Sequence, residues 1–290
     1  MKRNFTSIIL IAVLIVGMSL LLYPTVSEYI NSKHQSRVVR KYATQVADMS
    51  KDVSEQMIKA AQEYNEKLRQ TPGAFLKPEL VAGYKDTLDV TGTGIMGYIS
   101  IDKIGVQLPI YHSVDEGVLQ IAVGHLPGTS LPVSGDSTHI VLSGHRGLPS
   151  AMLFTDLDKI EVGDTFQIDV LKEQYTYRVD QIKIVLPYEV DDLQIVNGKE
   201  YCTLMTCTPY GINSHRLLVR GVRTEIAKEG EHNYVTNEAY QIDPVIVMPA
   251  LAVPMFIIWM IVLAIRYWRR RKEQQRKEEI MAYIDDAKQE

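Results

Sequence analysis

Two long stretches without a charged side chain, one towards each end of the chain, most constrain what this sequence can fold into. Phe5–Tyr23 and Pro244–Ile265 consist almost entirely of aliphatic, aromatic and small residues. Each is long enough to cross about 30 Å of lipid hydrocarbon at about 1.5 Å per helical residue. A buried core helix is the alternative, but such a helix rarely stays apolar on every side for this length. The sequence therefore predicts two transmembrane helices with a folded domain between them.

Basic residues beside the second stretch predict the orientation in the membrane. Arg266–Lys277 is strongly basic, whereas Glu225–Asp243 is mostly acidic. Because the cytoplasmic flanks of membrane spans carry an excess of Lys and Arg, the tail is predicted to be cytoplasmic. Two spans then place both termini in the cytoplasm and residues from about 30 to 240 outside the cell. A cleaved signal peptide remains the alternative for the first stretch, although no clear small-x-small site follows Tyr23.

The composition argues against one class of function. The 290 residues carry a net charge of −4, with 46% hydrophobic and 23% charged residues. These shares are ordinary for a globular protein. The sequence contains neither a glycine-rich phosphate loop nor a stripe of basic and aromatic residues. We therefore expect no nucleic-acid partner.

Between the apolar stretches, a helical pattern comes first and a pattern of strands follows. Apolar residues recur every three or four positions from Val38 to Leu68, which predicts one long helix. This helix either packs on its own domain or pairs with a second chain. Pro and Gly residues between Thr71 and Pro78 end it, and an irregular linker runs to about Gly94.

Runs rich in Val, Ile, Thr and Tyr then alternate with turns. This pattern predicts a mostly β domain, either a sandwich or a barrel. A short helical turn is predicted at Thr155–Ile160. The predicted strands are Gly97–Asp102, Val106–His112, His139–Ser143, Thr165–Leu171, Tyr175–Leu186, Tyr201–Cys207 and His215–Thr224.

The two cysteines, Cys202 and Cys207, lie in one predicted strand. Five residues at about 3.3 Å each put them roughly 16 Å apart, whereas a disulfide needs Cα atoms within about 7 Å. Their odd spacing also places them on opposite faces of the strand. We therefore expect Cys202 to be buried and Cys207 to be a free thiol at the strand end, just before the turn Thr208–Gly211.

A thiol, an imidazole and a guanidinium are the groups needed for acyl transfer through a thioester. Arg216 lies on the strand predicted to return beside Cys207, and His145 follows another strand, between Gly144 and Gly147. A nearby cation favours the reactive thiolate. The imidazole can carry the proton to the departing amine, and the guanidinium can stabilise an oxyanion. The pattern alone also admits other candidates, namely His112, His125, His139 and His215 for the imidazole, and Arg220 and Arg223 for the guanidinium.

Zinc is a further alternative, with His125, His139, His145 and Cys207 as ligands. The spacings of these residues fit no compact zinc-ligand motif. We therefore predict no metal site.

Seven motifs in the same order resemble the sortases, the surface transpeptidases of Gram-positive bacteria, and in particular their pilin-polymerising class C. Thr203–Cys207 is similar to the Thr-Leu-x-Thr-Cys signature of the family. The resemblance runs from about Gly94 to Arg223. Its other motifs are Gly94–Ile99, Leu108–His112, Gly124–Pro132, Thr138–Gly147, Cys207–Asn213 and His215–Gly221.

The resemblance implies a fold and a set of roles. Sortases are closed eight-stranded β-barrels with peripheral helices, so it selects the barrel over the sandwich. By motif position it selects Cys207 as nucleophile, His145 as general acid and base, and Arg216 as stabiliser of the oxyanion or the substrate carbonyl. It implies no cofactor.

The resemblance also implies substrates and a location. Class C sortases cleave a Leu-Pro-x-Thr-Gly-like sorting signal after the threonine and hold the pilin as a thioester. A lysine of the next pilin then forms an isopeptide bond. The partners expected are therefore pilin subunits, an acceptor lysine and the membrane of a Gram-positive bacterium. Three alternatives stay open: a housekeeping sortase that uses a cell-wall precursor, a non-catalytic pilus-assembly scaffold, and a cysteine protease with water as acceptor.

One departure from the class concerns the segment before the barrel. Class C enzymes usually carry an Asp-Pro-aromatic lid there, and about Thr71–Tyr84 contains no Asp-Pro pair. Phe75 is a candidate plug of the active site, and an ordinary linker is the alternative.

These inferences divide the chain into seven parts. The predicted parts are a cytoplasmic N-terminus (1–4), an anchor or signal peptide (5–23), a helix and lid or linker region (30–93), the catalytic barrel (94–225), a linker (226–243), a transmembrane helix (244–265) and a basic cytoplasmic tail (266–290).

Overall fold

Eight strands form a closed barrel in the computed structural model. The model describes residues 2–224 and, nearer the C-terminus, residues 257, 260–261, 264–269 and 271–276. Around the barrel the strands follow the order β1-β2-β3-β4-β7-β8-β6-β5. The closed eight-stranded barrel implied by the resemblance is therefore confirmed. The strands are β1 (Ile95–Ile101), β2 (Val106–His112), β3 (Val123–His125), β4 (Thr138–Ser143), β5 (Thr165–Val170), β6 (Glu173–Val185), β7 (Glu200–Thr208) and β8 (His215–Arg223).

Most neighbouring strands are antiparallel, but β2–β3 and β4–β7 are parallel. All seven strands predicted from the sequence are present, with ends shifted by at most two residues. The strand β3 was missed because its three residues are too short for an alternating pattern to stand out. The helical turn expected at Thr155–Ile160 contains a 3₁₀ turn, Leu157–Lys159.

The predicted helix from Val38 to Leu68 is in fact two helices. The first, α1, spans Lys2–Asp48, and the second, α2, spans Lys51–Gln70. Ser50 begins α2 as its N-cap, because its hydroxyl accepts a hydrogen bond from the amide of Val53 at 3.3 Å. The continuous apolar periodicity concealed this break, because both helices turn an apolar face to the same domain.

The C-terminal half of α1 packs on its own barrel. Val39, Tyr42 and Val46 are buried. The Tyr42 hydroxyl donates to the Met96 carbonyl at 2.9 Å and accepts from the Leu171 amide at 2.8 Å. The apolar face of this helix is therefore covered within the chain, as the first of the two alternatives predicted.

From Val13 onwards, α1 contains a segment long and apolar enough to cross a membrane, and the rest of the described protein does not bury that segment. This agrees with the predicted long N-terminal helix and with the first apolar stretch. Most of the second predicted span, 244–265, lies outside the described residues. Those of its residues that are described, 257, 260–261 and 264–265, are helical.

The segment between α2 and β1 is more ordered than the linker predicted there. It contains a 3₁₀ turn, Pro78–Leu80, and its residues Ala74, Val81 and Leu88 are buried against the barrel. The Tyr84 hydroxyl lies 2.9 Å from His125 Nδ1 and accepts from the amide of Ser113 at 3.0 Å. The segment is therefore packed on the barrel along its length.

Strands β4, β7 and β8 have two faces with different surroundings. On the inner face, Leu142, Leu204 and Val219 are in register and fully buried in the main core. On the outer face, Met205 pairs with Leu218. A small apolar group covers that face, which we call the outer-face cluster: Val141, Leu193 and Leu218, with Phe75, Leu126, Val185 and Met205 packed against them.

Candidate active site

Cys207 lies at the end of β7 on its outer face, next to a cavity. Arg216 is its direct partner across the β7–β8 pair, because the turn after Thr208 folds the chain back on itself. Cys207 is half-buried with a free thiol, while Cys202 points into the barrel. Burial raises the pKa of the Cys202 thiol well above its usual value. The opposite placement of the two thiols agrees with their odd spacing.

His145 follows β4, in a loop that packs so closely on neighbouring rings that it needs glycine at two positions. The ring of Phe154 covers Gly144 so closely that a Cβ there would lie 2.7 Å from a ring carbon. Gly147 has φ +78°, and a Cβ there would meet the ring of Tyr210 at 2.9 Å. A side chain at either position would therefore push the histidine loop away from the barrel end.

Two hydrogen bonds fix the histidine loop to the strand of the thiol. The Thr206 hydroxyl donates to the Gly144 carbonyl at 2.7 Å. On the other side, the Arg146 guanidinium donates to the Thr208 hydroxyl at 3.1 Å and also pairs with Asp158. The residues that flank Cys207 thus bond to the residues that flank His145.

The cavity beside these residues has a volume of about 230 Å³. This is less than the roughly 300–1,000 Å³ of common ligand pockets, so it has room for part of a peptide and not for a whole sorting signal. It brings Cys207, His145 and Arg216 together. Its lining residues are Val114, Leu119, Ser143, Gly144, His145, Met205, Thr206, Cys207 and Arg216.

A short helix, α3 (Glu116–Leu119), forms part of the cavity wall. Glu116 Oε2 lies 3.9 Å from His145 Nε2, which is too long for a hydrogen bond. His145 Nε2 is buried without a hydrogen-bond partner. No group of the described residues fills the hydrogen-bonding position at this nitrogen, so a group that enters the cavity can fill it.

Of the three candidate arginines, Arg216 is the one that lines the cavity. Its guanidinium donates to the carbonyls of Asn213 at 3.2 Å and His215 at 3.1 Å. Arg220 is bound to Asp180 at 2.8 Å and stacks over the ring of Tyr201. Arg223 lies 3.6 Å from Glu200.

The other candidate histidines lie away from the cavity lining. His125 Nε2 is 2.8 Å from the Ser130 carbonyl, and His139 Nε2 is 2.7 Å from the Thr203 hydroxyl. Burial lowers the pKa of each to about 4. Both are therefore neutral at physiological pH and hold the fold together. Among the described residues, no group of three or more His, Cys, Asp and Glu is placed to hold a metal ion.

The two remaining histidines also have local partners. His112 lies 2.9 Å from the carbonyls of both Gly94 and Thr87. His215 Nδ1 lies 2.9 Å from the Ser214 hydroxyl.

Phe75 packs against the outer-face cluster and does not line the cavity. Met205 belongs to the outer-face cluster and also lines the cavity, so the cluster and the cavity are adjacent. The Phe75 carbonyl also lies so close to Gly128 that a Cβ there would approach it to 2.4 Å. The segment that carries Phe75 is therefore held against the barrel beside the cavity.

Sequence reasoning missed three residues at this site: Arg146, Thr206 and Glu116. The first two stand next to His145 and Cys207 in the chain, and that adjacency was the available signal. Glu116 had none, because it approaches the histidine only through the fold.

Comparisons with known proteins agree with this geometry. Residues 99–224 match the model of the sortase domain. Sortase C1 from Streptococcus agalactiae is 49% identical, with a TM-score of 0.60 over 66% of this chain and 99% of that chain. Sortase C from Streptococcus pneumoniae is 42% identical, with a TM-score of 0.60 over 66% and 97%.

A more distant solved structure, sortase C from Clostridium perfringens SM101, is 38% identical, with a TM-score of 0.55 over 66% of this chain and 99% of that chain. A search of curated proteins gave no match. The solved relatives are covered almost completely and at high identity. The chain therefore belongs to the class C sortases and is a cysteine transpeptidase.

Proposed function

We propose that this enzyme polymerises pilins, with Cys207 as nucleophile, His145 as general acid and base, and Arg216 as stabiliser of the oxyanion. One observation carries the proposal: the three side chains line the same cavity, with Cys207 and Arg216 in register across β7–β8. The solved Streptococcus pneumoniae sortase C has been described in relation to pilin substrate specificity. Its 42% identity to this chain supports the same class of substrate here.

The first half of the reaction forms a thioester. The Cys207 thiolate attacks the threonine carbonyl carbon of a Leu-Pro-x-Thr-Gly-like signal, and the carbonyl electron pair moves to the oxygen. Arg216 stabilises that oxyanion. As the oxyanion collapses, the Thr–Gly bond breaks, and protonated His145 gives its proton to the departing glycine amine.

The second half transfers the pilin. The ε-amine of a lysine on another pilin attacks the thioester carbonyl, and His145 takes up the proton of that amine. The C–S bond breaks, which regenerates the thiolate and leaves an isopeptide bond. The enzyme ends the cycle unchanged, so no cofactor or external energy source enters the balance.

The test is to incubate the full-length enzyme in vesicles with a pilin that carries the sorting signal. We expect an SDS-resistant ladder of pilins. Cys207→Ala should abolish the ladder, whereas Cys202→Ala, a matched change five residues away on the same strand, should retain it. A ladder formed by Cys207→Ala would overturn the assignment of the nucleophile.

The nature of the product separates the alternatives. Cleavage without a ladder favours a wall-precursor amine or water as the acceptor. Neither cleavage nor a thioester, from folded enzyme with several pilins, favours a non-catalytic scaffold. A ladder linked through lysine supports polymerisation over all three.

We also propose that Phe75 is a plug that restricts access to the active site. It covers the outer-face cluster, which continues from the cavity through Met205. Phe75→Ala should raise peptide cleavage several-fold by uncovering this surface. Leu76→Ala, which changes a neighbour that is 75% exposed, should leave the rate unchanged. An equal rate in wild type and both variants would favour the ordinary linker.

The membrane arrangement is part of the proposal. We propose that 5–23 and 244–265 both span the membrane, with both termini in the cytoplasm and residues from about 30 to 240 outside. The basic run from Arg266 to Lys277 supports this orientation. A reporter that works only in the cytoplasm should be active when it is fused after residue 290. Protection of the tail from a protease on the cytoplasmic side would contradict the arrangement.

A further inference from the structure

Helix α1, which carries the proposed first membrane span, bonds to two segments that adjoin the active-site cavity. Asn31 and Gln35, one turn apart on the same face of α1, donate side-chain hydrogen bonds to the barrel. Asn31 Nδ2 is 2.7 Å from the Ser150 carbonyl, and Gln35 Nε2 is 2.8 Å from the Ile121 carbonyl. These are long-range contacts between the N-terminal helix and two separate loops.

Both acceptors belong to segments that line the cavity. Ser150 lies five residues after His145 in the same loop, and Ile121 lies two residues after Leu119, a cavity-lining residue of α3. Gln35 is itself buried, with 8% of its surface exposed. The contact between α1 and the cavity walls is therefore a packed interface and not a chance surface pair.

The same helix fixes the distance from the cavity walls to the membrane. The uncharged stretch ends at Tyr23, and Asn31 follows eight residues later in the same helix, which continues through Pro24. Eight residues correspond to about 12 Å of rise. The headgroup layer accounts for roughly 5–7 Å of that distance, from the difference between the hydrocarbon and total bilayer thickness. With 5–23 across the membrane as proposed above, this rise places the cavity end of the barrel just above the lipid headgroups.

Exposed apolar side chains occur on the loops at this end. Met152, 44% exposed, lies two residues after Ser150. Tyr210 and Ile212, 62% and 71% exposed, lie in the β7–β8 turn, and the Tyr210 ring covers Gly147 of the histidine loop. Tyrosine and aliphatic residues of this kind fit the boundary between headgroups and water.

The opposite end of the barrel lies at the starts of β4 and β7, because the cavity lies where these two parallel strands end. There the amide of Gly198 donates to the Ser137 hydroxyl at 2.9 Å. Val196, two residues before Gly198, is 46% exposed. It offers a control position with an exposure close to that of Met152.

We propose that α1 holds the cavity at a fixed height facing the lipid surface, with Met152, Tyr210 and Ile212 in contact with the headgroups. The preferred substrate is then a sorting signal that is still held in the same membrane. The choice of substrate rests on the proposed activity, whereas the orientation rests only on the proposed membrane span 5–23.

The orientation is tested without any activity measurement. Spin labels are placed on Met152→Cys or Val196→Cys in the full-length Cys207→Ala chain, in phosphatidylcholine vesicles containing a nickel-chelating lipid. Cys202 is fully buried and stays unlabelled. We expect relaxation enhancement by nickel at least about threefold larger at 152 than at 196. Equal enhancement, or more at 196, would overturn the proposal.

The fixed height is tested by lengthening the helix. Seven alanines inserted between Ser27 and Glu28 add about 10.5 Å of rise and turn the barrel by only about 20°. We expect nickel enhancement at 152 to fall towards the level found at 196 without the insertion. The same insertion between Arg3 and Asn4, before the apolar stretch, should leave it unchanged. Enhancement that survives the first insertion would contradict a height set by α1.

Activity measurements then address substrate choice. The insertion after Ser27 should lower reaction with a membrane-held sorting signal at least about tenfold, and leave cleavage of a soluble sorting peptide within about twofold. An equal loss on both substrates would show a damaged site and overturn the choice of substrate. No cleavage by the unmodified enzyme, with the nickel result as expected, would reject the proposed function and leave the orientation standing.

Discussion

The two faces of β7 show how one strand serves as both core and active site. On the inner face Cys202 and Leu204 are fully buried in the barrel. On the outer face Met205 and Cys207 line a cavity. Because side chains alternate along a strand, a shift of one residue in register would exchange the two sets. The apolar inner residues therefore determine the register that exposes the thiol.

The largest expected difference between the faces is the reactivity of the two thiols. A water-soluble disulfide reagent should modify Cys207 at least about 10³-fold faster than Cys202, because Cys202 reacts only when the barrel opens. Each rate is measured by absorbance in a variant that keeps only one of the two cysteines. In denaturant both rates should become equal, and similar rates in the native enzyme would contradict the alternation.

The second prediction compares two arginines on the outer face of β8. Arg216→Lys should lower kcat/KM by about 10²–10³-fold, because an ammonium cannot place two donors as a guanidinium does. Arg220→Lys, which changes a residue bound to Asp180, should lower it less than about threefold. Thermal unfolding checks that both variants are folded, and similar losses of kcat/KM would remove the special role of Arg216.

The third prediction concerns a structural histidine on the outer face, His139, together with His125 at β3. Burial lowers the pKa of both to about 4, below the value of about 6.5 in an unfolded chain. The unfolded chain therefore takes up protons first as the pH falls. The stability that these residues contribute is complete above about pH 6.5 and is lost as the pH falls towards 4.

Each histidine accounts for at most about 3 kcal/mol of unfolding free energy. Urea unfolding at pH 7, 5.5 and 4.5 measures the decline. His139→Gln should flatten the dependence on pH, with His34→Gln on the exposed surface of α1 as a control. A variant as pH-dependent as the wild type would show that other groups are responsible.

The smallest effect is expected from a change at Thr206, which lies on the inner face of β7 close to the end of the strand. Thr206→Val removes the hydroxyl that bonds to the Gly144 carbonyl, which should cost about 1–2 kcal/mol of stability and lower kcat about tenfold with little change in KM. Thr203→Val, which removes the hydroxyl near His139, should lower stability without the loss of kcat. Equal losses of kcat in the Thr206→Val and Thr203→Val variants would show that Thr206 contributes only to stability.

Much of this architecture could be predicted from local patterns, and the rest depends on distant contacts. Seven strands followed from β-branched runs and turn residues, and the placement of the cysteines followed from their odd spacing. The choice of barrel over sandwich needed the family resemblance. The break at Ser50, the short β3 and the packed segment around Tyr84 were missed, because tertiary partners decide them and no local period marks them.

The same distinction holds at the site. Cys207, His145 and Arg216 were named by motif and stand around one cavity. Residues that act through space, such as Glu116 and Asn31, carry no sequence signal, since their partners lie far away in the chain. The second apolar stretch is mostly outside the described residues, so the predicted second span stays a prediction.

The bonds that fasten His145 to the strand of Cys207 also bear on how the enzyme matures. They join residues 62 positions apart through a parallel strand pair, a type of long-range contact that forms slowly during folding because loop closure must come first. A newly made chain thus carries the Cys207 thiol through much of folding before His145 is held beside it. We expect refolding enzyme to regain barrel structure before peptide cleavage, and simultaneous recovery in stopped-flow measurements would argue against such late activation.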